Sequence, residues 1–118
     1  MTAYARDSRL IFDLGMNNGD DTDYYLKLGY DVVALEANPA LCAKASERFA
    51  DAVEQGRLTI VHAAIWEHSG ETSFLVNLDN DHWSSIDPGW AERDDSTCER
   101  ITVQCVTLPE LFARFGVP

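Results

Sequence analysis

Two glycines set among amides and carboxylates, Asp13-Leu14-Gly15-Met16-Asn17-Asn18-Gly19 followed by Asp20 and Asp21, are the first residues whose types and spacing could hold a ligand. Lacking a Cβ, glycine lets a backbone turn sharply and approach a ligand closely. Glu36 follows Gly15 by 21 residues, the interval at which an acid at a strand end accepts hydrogen bonds from both hydroxyls of a ribose. A nucleoside ligand is implied. A dinucleotide pyrophosphate needs GxGxxG, whereas this loop reads DxGxxxG and is followed by acids that would repel phosphate. Those charges suit a nucleoside that carries positive charge. His62, His68, His82 and Cys98 are spaced unlike any tight zinc motif, so no metal site is expected.

Such residues need rigid elements to hold them. Residues 10–14 form a short apolar run that ends in glycine, which predicts a strand buried on both faces of a parallel sheet. Asp20, Asp21 or Thr22 would cap a helix running to about Leu28, with Gly29 closing it. A second buried strand is predicted over 30–36. Asn38-Pro39 supplies a cap and a first-turn proline for a helix reaching about Gln55, since Leu41, Ala45, Phe49 and Ala52 or Val53 recur on one face. A third strand is predicted over 57–65. Strand, helix, strand, helix, strand implies parallel strands joined by crossovers. Further strands are expected over 72–77 and 101–107, with a loop or lid over 78–99 between them and a helix over 108–115. The fold class is thus α/β: a Rossmann-like arrangement forming the N-terminal half of a doubly wound parallel sheet, with extra antiparallel strands. The chain is read as one domain, 1–118.

Ligands of open α/β sheets sit outside the carboxyl ends of the strands. That rule gathers the glycine loop, Glu36-Ala37-Asn38-Pro39 and His62-Ala63-Ala64-Ile65 into one candidate site. His62 falls at the strand end, near the base of a bound nucleoside. The chain's composition narrows the partners. With 9 Lys plus Arg against 20 Asp plus Glu, a formal charge of −11, nucleic acid and anionic membranes are disfavoured. Three cysteines without a CxxC pair fit a reducing compartment, and no signal peptide or membrane span is evident, so a cytoplasmic location is expected.

The ordered segments DLGMNNGDDTDYYLKLGYDVVALEANP, VHAAIWEHSGETSF, WSSI and ITVQCVTLPELF resemble the opening of the FkbM-family methyltransferases. The ligand suited by the acidic loop, a nucleoside bearing an ammonium and a sulfonium, is the cofactor of that family, S-adenosylmethionine. By this resemblance Asp13, Gly15, Asn17 and Gly19 belong to the loop on the methionine side and Glu36 is the ribose acid. Asn38, Ala63 and Ala64 lie where the adenine is held. Trp83-Ser84-Ser85-Ile86 matches a segment near the cofactor pocket, though a loop tryptophan is as often a packing anchor. The implied reaction is methylation of a small-molecule or sugar hydroxyl, with no general base assignable. The family continues beyond a segment like 103–118 with a strand of the form LKIDIEG, so the chain is expected to be an N-terminal portion without the acceptor wall. An exposed sheet edge would then favour a homo-oligomer. Two other readings share the sheet: a nicotinamide-dependent oxidoreductase, and a non-catalytic nucleoside-binding or interaction module.

Overall fold

Alternating side chains along the second strand divide the molecule into layers. In the computed structural model, which describes residues 7–79, 84, 86 and 97–118, β1 (Leu10–Leu14), β2 (Asp31–Glu36) and β3 (Leu58–His62) form a parallel sheet ordered β1-β2-β3. Successive side chains on a strand point to opposite faces, so Val32 and Ala34 face one layer and Val33 and Leu35 the other. On the first face lie α1 (Asp20–Lys27), α2 (Pro39–Arg48) and α3 (Ala50–Glu54), where Leu26, Ala45 and Phe49 pack with Val32, Ala34 and Leu58. On the second lies α4 (Leu108–Phe115): Leu111 and Phe115 join Leu10, Val33 and Leu35, and Phe112 stacks on Phe12 with ring centroids 6.0 Å apart. Helices on both faces of a parallel sheet make the Rossmann-like α/β fold that the sequence implies.

Beside it sits a second sheet. β4 (Ala64–Ile65), β5 (Gly70–Asn77) and β6 (Cys98–Val106) are ordered β4-β6-β5, with β5 antiparallel and β4 parallel to β6. Its core of Phe74, Val103 and Cys105 closes against Ala37 and Ala64, next to the carboxyl ends of the first sheet.

The structure departs from the sequence reading in several places, each with a local cause. The 57–65 segment is two strands, because the Ala63 N–H donates to Glu36 O at 3.1 Å and to Val61 O at 3.0 Å, and the chain leaves the first sheet there. The Trp66 N–H then donates to Val106 O at 3.0 Å, committing the chain to the second sheet. The long helix predicted to end near Gln55 breaks at Phe49 (φ −110°, ψ 27°). Asp20, Asp21 and Thr22 do not cap α1: Gly19 takes that position with φ 87°, and it is Asn18 Oδ1 that accepts from the Asp20 N–H at 3.0 Å. Residues 98 and 99, read as loop, already belong to β6, while 80–83, 85 and 87–96 of that loop lie outside the described residues. Among the described strands nothing pairs with the outer edge of β1, and the strand is not buried on both faces as the sequence implies: of its five residues only Leu10 is buried. Among the described residues no helix is long and apolar enough to cross a membrane.

Candidate functional site

The carboxyl ends of the three parallel strands open into a cleft of about 330 Å³, the place where open α/β sheets bind ligands. Gly15, Asn17, Glu36, Ala63 and Ala64 all line it, together with Leu14, Leu35 and Ala37. The second sheet and its flanks supply two residues that sequence reasoning missed, Trp66 and Phe74, alongside Ile65, Ser84 and Ile86, which that reasoning brings to the site. Nothing in the local pattern marks Trp66 or Phe74 as cleft residues, since their position depends on how the two sheets meet.

The glycine loop is held from below and from the side. Met16 is 3% exposed and anchors the loop in the helix-facing core, while the Gly15 and Met16 N–H groups both donate to Leu35 O, at 2.9 and 2.8 Å. Asn17 follows in the left-handed region at φ 52°, and its N–H donates to Glu36 Oε1 at 2.7 Å. The other carboxylate oxygen, Oε2, accepts from the Asn38 N–H at 2.9 Å. Glu36 is 7% exposed, so it is no solvated strand-end acid. One buried carboxylate ties the loop after β1 to the turn after β2.

Gly15 and Gly19 both need positive φ, at 89° and 87°, but for unequal reasons. A Cβ on Gly15 would meet nothing within 4 Å, whereas one on Gly19 would lie 2.8 Å from Phe49 Cε2. Phe49 leaves the helix to place its ring under this loop, and the Arg48 guanidinium lies 4.8 Å over that ring while donating to Asn18 O at 3.0 Å.

The acids after the loop are engaged elsewhere. Asp20 accepts from Arg48 at 3.1 Å, and Asp23 accepts from Lys27 at 2.8 Å, a bond that with Arg48 nearby holds its carboxyl below the ordinary carboxylate value. Neither lines the cleft, and nor do Asp13 and Gly19. Asp13 Oδ2 instead accepts from the fully buried Thr22 Oγ1 at 2.6 Å, fastening β1 to α1. Burial raises the Asp13 carboxyl above its ordinary value, the Asp21 charge adds to this, and the Thr22 bond opposes it.

A raised folded-state value means that the folded chain holds the Asp13 proton more tightly than the unfolded chain does. Its contribution to stability therefore falls as pH rises from the ordinary value of 3.8 through the raised one, and is unfavourable at neutral pH. Asp13→Asn keeps an acceptor for Thr22 and removes the buried charge. It is expected to raise the melting temperature at neutral pH and to lose that gain once the pH falls below the ordinary carboxylate value. Thermal melts across that range check this, and a difference that does not change with pH contradicts it.

Other sequence candidates have structural partners. His62 Nε2 lies 3.0 Å from Ala37 O, and because that oxygen can only accept, Nε2 carries the proton; the ring braces the turn after β2 and does not line the cleft. Cys42 donates to Glu36 O at 3.2 Å, and burial, with the Glu36 charge second, pushes its thiol up to about 11. It is an unreactive thiol at neutral pH. Asn38 caps α2, its Oδ1 accepting from the Ala40 N–H at 3.0 Å, and it lines a separate cleft beside the first turn of that helix. Of the 83–86 segment, Ser84 and Ile86 line the main cleft, with Ser84 Oγ accepting from the Asn77 N–H at 2.9 Å; Trp83 and Ser85, like His82, lie outside the described residues. Among the described residues no group of three or more His, Cys, Asp or Glu side chains could hold a metal ion.

No family model and no curated protein matches the chain. Among solved structures it is similar to a crystal structure from Clostridium thermocellum provisionally described as an rRNA methylase, at 19% identity and a TM-score of 0.42. The likeness covers 52% of this chain and 34% of that one, so the matched region spans about a third of that protein's length.

Proposed function

We propose that the cleft binds S-adenosylmethionine and that the chain is the cofactor-binding part of an S-adenosylmethionine-dependent methyltransferase of FkbM type. The observation that carries this reading is Glu36. Each of its carboxylate oxygens receives one backbone N–H, from Asn17 or from Asn38, and keeps a second lone pair for a ribose hydroxyl. Two fixed bonds hold the carboxylate plane before any ligand arrives, so little ordering is left to be done on binding. Leu14, Leu35, Ala37, Phe74 and Ile86 give the cleft apolar surface suited to an adenine ring, and Ala63 and Ala64 leave room beside it. A cleft of about 330 Å³ is at the low end for small-molecule sites and suits one nucleoside better than a dinucleotide.

Charge separates the cofactor from its rivals. A pyrophosphate seated at the N-terminus of α1 would meet Asp21 in its first turn, where Arg48 and Lys27 already pair with Asp20 and Asp23, and that charge opposes the usual preference of such ends for phosphate. An ammonium and a sulfonium would be favoured in the same place. Bound there, S-adenosylmethionine supplies an electrophilic methyl group for an acceptor oxygen. The chain's own residues contribute orientation: Glu36 holds the ribose, the loop of Gly15 and Asn17 passes beside the methionine end, and Asp13 and Gly19 set the loop's path from beneath.

Calorimetry with S-adenosylmethionine, S-adenosylhomocysteine, NAD and ADP tests the reading. Saturable binding of the two S-adenosyl compounds and weak or no binding of the two pyrophosphates is expected. Preference for NAD would transfer the chain to the oxidoreductase reading, and no binding of any of the four would leave only an interaction module.

A further inference from the structure

The second cleft has its own chemistry. Its volume is about 320 Å³, and it lies between the first turn of α2, represented by Pro39 and Ala40, and one face of the β5–β6 hairpin, represented by Val76, Leu78, Glu99 and Ile101. Those hairpin residues share a face because Phe74 pairs with Ile101 and Val76 with Glu99, and alternate residues point the same way. Asn38 lines the cleft and is only 6% exposed.

Three of the four polar atoms of Asn38 are accounted for. Its N–H donates to Glu36 Oε2, its carbonyl oxygen accepts from the Cys42 N–H at 3.1 Å, and its Oδ1 accepts from the Ala40 N–H. That last bond fixes the amide orientation, because a backbone N–H can only donate and so must face the oxygen. The remaining group is the Nδ2 amide, which has no partner among the described residues. A buried donor left unpaired is costly, and native structures rarely keep one without a water or ligand to receive it. The cleft is far larger than the roughly 30 Å³ share of one water.

We propose that this second cleft is a binding site for a neutral small molecule that presents a carbonyl-type acceptor to Asn38 Nδ2 and lays an apolar body against Val76, Leu78 and Ile101. An anion is disfavoured, since Glu99 lines the same cleft, the chain carries a formal charge of −11, and the Ala40 N–H at the helix start is already taken. The site does not depend on what the main cleft binds.

Asn38→Asp isolates the donor. Aspartate caps a helix as well as asparagine does, so the acceptor for Ala40 survives while the Nδ2 donor is lost. Asn38→Ser serves as the second variant, capping without the Nδ2 amide or the added charge. The test is a titration of the ¹⁵N-labelled full chain with benzamide, nicotinamide and benzoate, following the Asn38 side-chain amide resonances. Both neutral amides are expected to shift those resonances saturably, benzoate is not, and backbone shifts around the cleft should report binding roughly tenfold weaker in both variants, the loss expected for one hydrogen bond. Absence of a saturable shift with either amide, equal binding by benzoate, or unchanged affinity in the variants would overturn the proposal.

Discussion

Replacing Glu36 by alanine is expected to weaken binding of S-adenosylhomocysteine by roughly 30- to 700-fold, because two hydrogen bonds to a charged acceptor are lost, about 2 to 4 kcal/mol. The structure adds a second effect. The same carboxylate receives the Asn17 and Asn38 N–H groups, so alanine also releases the loop after β1 from the turn after β2. Glu36→Gln separates the two contributions. Glutamine keeps the length and one carbonyl acceptor for one of the two backbone donors, but places an NH₂ where the other donor points. It is expected to bind more weakly than wild type and more tightly than the alanine variant, with a smaller loss of stability. Calorimetry alongside chemical denaturation reads both quantities. An unchanged dissociation constant in a folded Glu36→Ala chain would remove Glu36 from the site.

Gly19→Ala is expected to destabilise the fold by roughly 2 to 5 kcal/mol, and Gly15→Ala by about 1 to 2. Both alanines would have to adopt a left-handed backbone, which costs about 1 to 2 kcal/mol for a residue with a Cβ. Only at Gly19 does the new methyl also enter occupied space, 2.8 Å from the Phe49 ring. That ring is 7% exposed and has the Arg48 guanidinium over it, so it cannot swing aside cheaply. Overpacking of this kind costs about 1 to 3 kcal/mol. Melting temperatures should fall on the order of 10 °C for Gly19→Ala, given the usual scaling for chains of this size, and clearly less for Gly15→Ala. If relief of the clash is the correct account, Phe49→Leu combined with Gly19→Ala should recover part of the loss beyond the sum of the single changes. Equal effects at the two glycines would refute it.

The first sheet was legible in the sequence because its strands are short apolar runs bounded by glycine, and its second helix because Asn38-Pro39 is a strong start signal. The glycine loop and Glu36 were legible for the same reason: both sit at strand ends, where spacing alone places them. What the sequence hid depends on tertiary contacts. Phe49 keeps helical spacing with Leu41, Ala45 and Ala52, so periodicity runs straight through a break at the residue whose ring lies against Gly19. Residues 57–65 read as one strand because no residue type marks the point where Ala63 turns back to Glu36 O and the chain changes sheets. Two residues of the cleft wall, Trp66 and Phe74, come from that change of sheet. The Asp20 carboxylate reads as part of the ligand's charge environment, yet Arg48, distant in sequence, pairs with it.

The most direct test of the central claim locates the ligand. Saturating the ¹⁵N-labelled chain with S-adenosylhomocysteine should shift the backbone amides of Gly15, Asn17, Glu36, Ala37, Ala63 and Ala64 with a single dissociation constant, while amides at the far ends of the parallel strands stay in place. No saturable shift at Gly15, Glu36 and Ala63, or shifts confined to residues away from the carboxyl ends of β1, β2 and β3, would contradict it.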